Sequence, residues 1–215
     1  MTDRPILFSA AMIRAILREI EAPGTGKTQT RRVMNPQPKG ISSANRVHSS
    51  CWDITPESNR CSVDFQAPKF AAGDRLWVRE AWCLDAQLDH VAPSKCSPYE
   101  PRGYPANDWI IEPACMMIRA GKLRPGIHMP RWASRLTLHV TDVRVQRLQD
   151  ISEADARTEG PDLCRDDGRL HATYRIAFAN LWDSLNEKRA PWASNPWVVA
   201  VSFRPVLGNI DRVAA

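Results

Sequence analysis

Lys27-Thr28-Gln29-Thr30-Arg31-Arg32 places an amine, two hydroxyls, an amide and two guanidiniums in consecutive positions, with no apolar side chain among them. The run reads as an extended strand that is not a core element on both faces. Side chains alternate along a strand, so Thr28, Thr30 and Arg32 share one face and Gln29, Arg31 and Val33 the other. Lys27 joins the threonine face only from a preceding turn, reaching back along its four-carbon stem.

Gly24-Thr25-Gly26-Lys27-Thr28 imitates the end of a phosphate-cradling P-loop. That motif needs a glycine where Glu21 stands, a strand before the loop and a helix after it. Here a helical pattern (Met12, Ile13, Ile16, Leu17, Ile20) precedes and an extended, Thr- and Arg-rich stretch follows. An ATPase reading is rejected.

The chain has 215 residues, enough for one good core with insertions, and carries a net charge of +5. Charge is unevenly placed. Residues 114–147 hold seven Lys or Arg against one acid, and residues 148–168 hold seven acids against two arginines. This suggests an anion-attracting face beside an acidic segment. The six cysteines are irregularly spaced, and with no apolar leader and no run of membrane-spanning length the expectation is a cytoplasmic protein with reduced thiols and no membrane partner. His48, Cys51 and Cys61 invite a zinc reading, but no paired C-x-x-C supports it, so neither metal nor cofactor is expected.

In chain order, residues 5–8 read as a short buried strand. Ser9 caps a helix to about Glu19, and the strand 27–33 follows the turn at Pro23, Gly24 and Gly26. Residues 35–72 and 84–126 read as irregular insertions, on either side of a strand at Leu76–Val78 that follows the Gly73-Asp74 turn. Leu136, Leu138 and Val140 alternate, and Val143 and Val145 resume one position out of step, which implies a bulge near Asp142. Ser152-Glu153-Ala154-Asp155 starts a short helix ending at Gly160. Tyr174, Phe178, Leu181, Trp182 and Leu185 mark an amphipathic helix, and Trp197, Val199, Val201 and Phe203 a last strand. Residues 1–207 read as one α+β domain, a small mixed barrel with flanking helices, and 208–215 as a loose tail.

Taken together, Lys27–Arg32, Gly73-Asp74-Arg75-Leu76-Trp77, Ile151–Gly160 and Trp197–Phe203 resemble the ASCH domain family, which has a PUA-like β-barrel. Ile127-His128-Met129-Pro130-Arg131-Trp132-Ala133-Ser134-Arg135 is similar to extensions in larger phage and prophage members. The resemblance implies RNA binding. In the family's small N4-acetylcytidine amidohydrolases it also implies catalysis by a lysine, a threonine and a glutamate. These match Lys27, Thr30 and Glu159, and the motif arginine matches Arg32.

Amide hydrolysis needs a nucleophile, a proton acceptor and a group that holds an oxyanion. Thr30 would attack, with Lys27 as its base, its pKa lowered by burial and by Arg31 and Arg32. Glu159 would orient the lysine or protonate the leaving amine. Arg31, Arg32, Trp77, Arg79, Arg131 and Trp132 are the candidate substrate contacts, Trp132 because guanidiniums flank it as they would a stacking platform. The expected partner is a modified nucleoside or RNA. The bland reading has Thr28 and Thr30 as β-formers, Lys27 as a solvated turn residue, Glu159 as a helix-end acid and the tryptophans as core. The alternative functions are a non-catalytic RNA-binding module and, more weakly, a ribonuclease.

Overall fold

The computed structural model describes residues 2–47, 51–58, 62–107, 110–112, 117–163 and 170–213. Its first elements are β1 (Asp3–Leu7), α1 (Ala10–Glu21), β2 (Gln29–Val33), β3 (Ile41–Arg46), β4 (Trp52–Pro56) and β5 (Arg75–Arg79). There follow β6 (Cys83–Leu84), β7 (Arg102–Tyr104), β8 (Ile110–Glu112), β9 (Leu136–Arg147), α2 (Glu153–Thr158), α3 (Tyr174–Asn186) and β10 (Trp197–Leu207). The fold is mixed α+β with mostly antiparallel strands, and among the described residues the ladders do not close into a barrel. The chain divides into two compact units, each built from separate segments. One comprises Met1–Pro23, Asp74–His139 and Pro205–Ala215, the other Gly24–Gly73 and Val140–Arg204.

In the first unit β1 runs parallel to β5, and the start of β9 pairs antiparallel with β5, Leu76 opposite Leu138. α1 buries Ile13, Ile16 and Leu17, the i, i+3, i+4 stripe that its sequence shows. Where an irregular insertion was expected after Leu84, β6, β7 and β8 form a small antiparallel sheet. Trp82, Leu84, Cys96, Tyr104, Met129 and Ala133 form a core cluster there. Asp85 accepts from the backbone N–H groups of Gln87 and Ile118, tying together loops whose residues show no periodicity.

Residues 208–213 of the expected loose tail are held in place. Ile210 is fully buried, and the Asn209 amide donates to the carbonyls of Arg131 and Ser134 at 2.9 and 2.7 Å. Asp211 and Asp3 both pair with Arg131 at 2.6 Å. One apolar residue and one amide suffice to anchor a segment that composition marks as tail.

In the second unit β3 and β4 form an antiparallel pair inside the other expected insertion, and Ala44 of β3 lies opposite Val145 of β9. Ser43 and Thr55 hydroxyls meet across it at 2.9 Å, a polar ladder that an apolar-alternation test passes over. β9 shows the expected slip: Thr141 and Asp142 are both exposed, and burial resumes at Val143 and Val145. β10, between β9 and β2 in the sheet, is buried on both faces from Trp197 to Val201, with Val198 packed against α2 and α3. Leu148, Ile151, Ala156, Phe178, Trp182 and Val198 form the core beneath α2 and α3.

Candidate active site

The site lies within the second unit. β2 pairs antiparallel with β10, setting Thr30 opposite Val201 and Arg32 opposite Val199. Just before it, the N–H of Thr28 donates to Thr158 at 2.9 Å while its carbonyl accepts from Phe203 at 2.8 Å. The start of the polar run is thereby clamped between the end of α2 and β10. The helix itself is defined by short-range chemistry. The Ser152 hydroxyl caps it by accepting from Asp155, acids occupy its first turn, and Gly160 at φ 72° turns the chain away after Glu159.

Glu159 therefore arrives beside Lys27, 132 residues earlier in sequence. Lys27 Nζ donates to Glu159 Oε2 and to the Glu159 carbonyl, both at 2.7 Å. Arg31 donates to Glu159 Oε1 at 2.8 Å and reaches Asp155 at 3.3 Å. Arg31 also bonds the Gln29 amide oxygen, and the Gln29 amide nitrogen donates to Ser202. Arg144 pairs with Asp155 from the other side at 3.1 Å. Lys27 is wholly buried, and Gln29, Thr30, Arg31 and Glu159 are each at most 4% exposed.

Two expectations change. Gln29, Thr30 and Arg31 are buried although none is apolar, because the polar groups of Gln29 and Arg31 find partners across the strand face. Lys27 is not the solvated turn residue of the bland reading but is wholly buried. Its amine pairs with Glu159, the carboxylate that also takes Arg31. The P-loop is absent in structure as in sequence: a strand follows Lys27, and a carboxylate occupies its amine.

Burial pushes the Lys27 pKa below the ordinary lysine value, opposed by the Glu159 carboxylate and assisted by Arg32 and Arg31. Burial likewise lowers that of Arg32, against Glu159's pull. An amine whose folded pKa is depressed binds fewer protons folded than unfolded between that value and 10.5. Stability from this group is therefore lowest below the window and rises with pH through it. Wild-type protein should accordingly gain stability relative to Lys27→Met as pH rises towards 10.5, measured by urea unfolding. A constant difference would mean that Lys27 is not desolvated.

Arg32 is half-buried and, with Val199, lines a cleft of about 230 Å³ with Asn35, Gln66, Lys69 and Phe70. Thr30 and Val201 are the next pair on the same strand face, about 6.7 Å further along.

The other candidate contacts belong to the first unit and are engaged structurally. Trp77 is buried with the Arg79 guanidinium over its ring at 4.5 Å. Arg131 is committed to Asp3 and Asp211, and Trp132 packs edge-on against Trp82 with Arg102 over its ring. Much of the basic run is neutralised locally, since Arg135 pairs with buried Glu80 at 2.9 Å and Arg144 with Asp155. His48 and Cys61 of the zinc reading lie outside the described residues, and no metal-holding group of His, Cys, Asp or Glu occurs among the described ones. No helix is long and apolar enough to cross a membrane.

Sequence reading passed over Gln29, Arg144 and Asp155 as site members. Spacing carries two of them: Asp155 stands four residues before Glu159, on the same helix face, and Gln29 two before Arg31. Comparison with protein-family models, with curated proteins and with solved structures returned no match.

Proposed function

We propose that the second unit hydrolyses a small amide on a modified nucleoside or RNA base, in the manner of an N4-acetylcytidine amidohydrolase of ASCH, PUA-like type. The observation that carries this reading is the fully buried Lys27–Glu159 pair at 2.7 Å, assembled across 132 residues and bridged to Arg31. A buried ion cluster is a poor way to stabilise a core, because desolvation offsets most of the attraction. A buried lysine with a lowered pKa beside a carboxylate is the kind of pair that active sites use for proton transfer.

In this reading the acylated base enters the cleft beside Arg32, and the acetyl carbonyl reaches Thr30 along the shared strand face. Thr30 Oγ1 forms a bond to the carbonyl carbon and gives its proton towards Lys27, which burial favours as a neutral base. Arg32 holds the oxyanion. The C–N bond breaks as the leaving amine takes a proton returned from the Lys27–Glu159 pair. Water then cleaves the threonyl ester, releasing acetate. The balance is amide plus water to amine plus carboxylic acid, with no cofactor.

Incubation with N4-acetylcytidine and chromatography of the products tests this directly. Release of cytidine and acetate in equal amounts is expected; no turnover on free nucleoside or acetylated RNA overturns it.

A further inference from the structure

We propose that a cleft in the first unit, between the turn at Pro93 and Ser94 and the segment Lys122–His128, binds an organic phosphate of nucleotide size. Arg124 is its fixed cation. The residue is only 6% exposed, yet its side-chain hydrogen bonds among the described residues go to neutral acceptors, the carbonyls of Leu88 and Val91 at 2.8 and 3.2 Å. Its Nε is buried with no partner. Buried charges are ordinarily paired, and desolvating a cation with no counter-ion is unfavourable. Glu80 pairs with the buried Arg135, whereas Arg102, also buried, is met by the Tyr104 hydroxyl and by backbone carbonyls. At Arg124 the unit supplies a cavity.

The residue is also held still. Its backbone N–H and carbonyl pair with Trp82 at 2.8 and 3.1 Å, and Trp82 is fully buried in the core cluster. A planar fork pre-positioned in this way suits the oxygens of a phosphoryl group. The cleft measures about 520 Å³ and is lined by Pro93, Ser94, Lys122, Leu123, Arg124, Pro125 and His128, with no acid in its wall. That volume lies within the range of small-molecule sites and exceeds what an inorganic anion fills. Lys122 and His128 add exposed donors, while Leu123, 56% exposed, and the two prolines offer an apolar wall for the body that carries the phosphate. The inference rests on this unit alone and stands whether or not the second unit hydrolyses amides.

Isothermal titration of the full chain with adenosine monophosphate, adenosine and inorganic phosphate tests it. The monophosphate should bind saturably and at least tenfold more tightly than either fragment. Replacing both exposed donors, Lys122→Ala with His128→Ala, should weaken it at least tenfold without moving the thermal midpoint. Arg124→Lys should weaken it too, although its burial makes the surface pair the decisive variant. Absence of saturable binding, equal affinity for inorganic phosphate, or a double variant that binds like wild type would each overturn the proposal.

Discussion

Glu159→Ala should lower the stability of the protein by about 3–5 kcal/mol, the usual cost of leaving buried charge uncompensated. Its carboxylate serves two buried cations at once, Lys27 on Oε2 and Arg31 on Oε1. Lys27→Met should cost less, because Glu159 keeps Arg31 and the methionine fills most of the lysine's volume. Arg31 retains Asp155 in the Glu159 variant, whereas Lys27 loses its carboxylate and keeps the backbone carbonyl of residue 159. The order of damage is therefore Glu159→Ala above Lys27→Met, and both above Glu57→Ala at an exposed acid. Urea unfolding at neutral pH measures all three. A Glu159 variant no weaker than the Glu57 control would mean that the cluster is solvated and the burial argument fails.

Thr30→Ala and Lys27→Met should each cut turnover of N4-acetylcytidine by roughly 10²–10⁴-fold, the range of a lost acid–base or nucleophilic partner. Combining them should cost little more than either alone, since residues acting as one unit are not additive. Thr28→Ala is the control. Thr28 adjoins the same clamp through its backbone, which alanine preserves. Equal losses at Thr28 and Thr30 would indicate damage to the strand rather than to the chemistry. Full activity in Thr30→Ala would exclude an acyl-threonine and leave attack by water with Lys27 or Glu159 as base.

Elements with a strong apolar period were legible in the sequence. The stripe of α1, the phase slip of β9 and the cap and glycine stop of α2 all stand where their residues place them. β3 and β4 were passed over because Ser42, Ser43 and Asn45 interrupt the first, and the second alternates Trp52 and Ile54 with Asp53 and Thr55 over only five residues among polar neighbours. β6 to β8 are two or three residues each, too short for any period. At the candidate site, resemblance drew attention to Lys27 and Glu159, while strand alternation alone did not bring them together. Their meeting depends on the backbone bond from Thr28 to Thr158, a contact between distant segments that no local period records.

The complete enclosure of Lys27 also makes its amine a chemical clock. Lys39, Lys69, Lys95, Lys122 and Lys188 stand in solvent, open to an acylating reagent, while Lys27 has no surface at all. Reagent reaches it only when the second unit opens, so under slow labelling its modification tracks the population of the open form. The residue that the chemistry hides is the one whose acylation, followed by peptide mass, reads how often that unit comes apart.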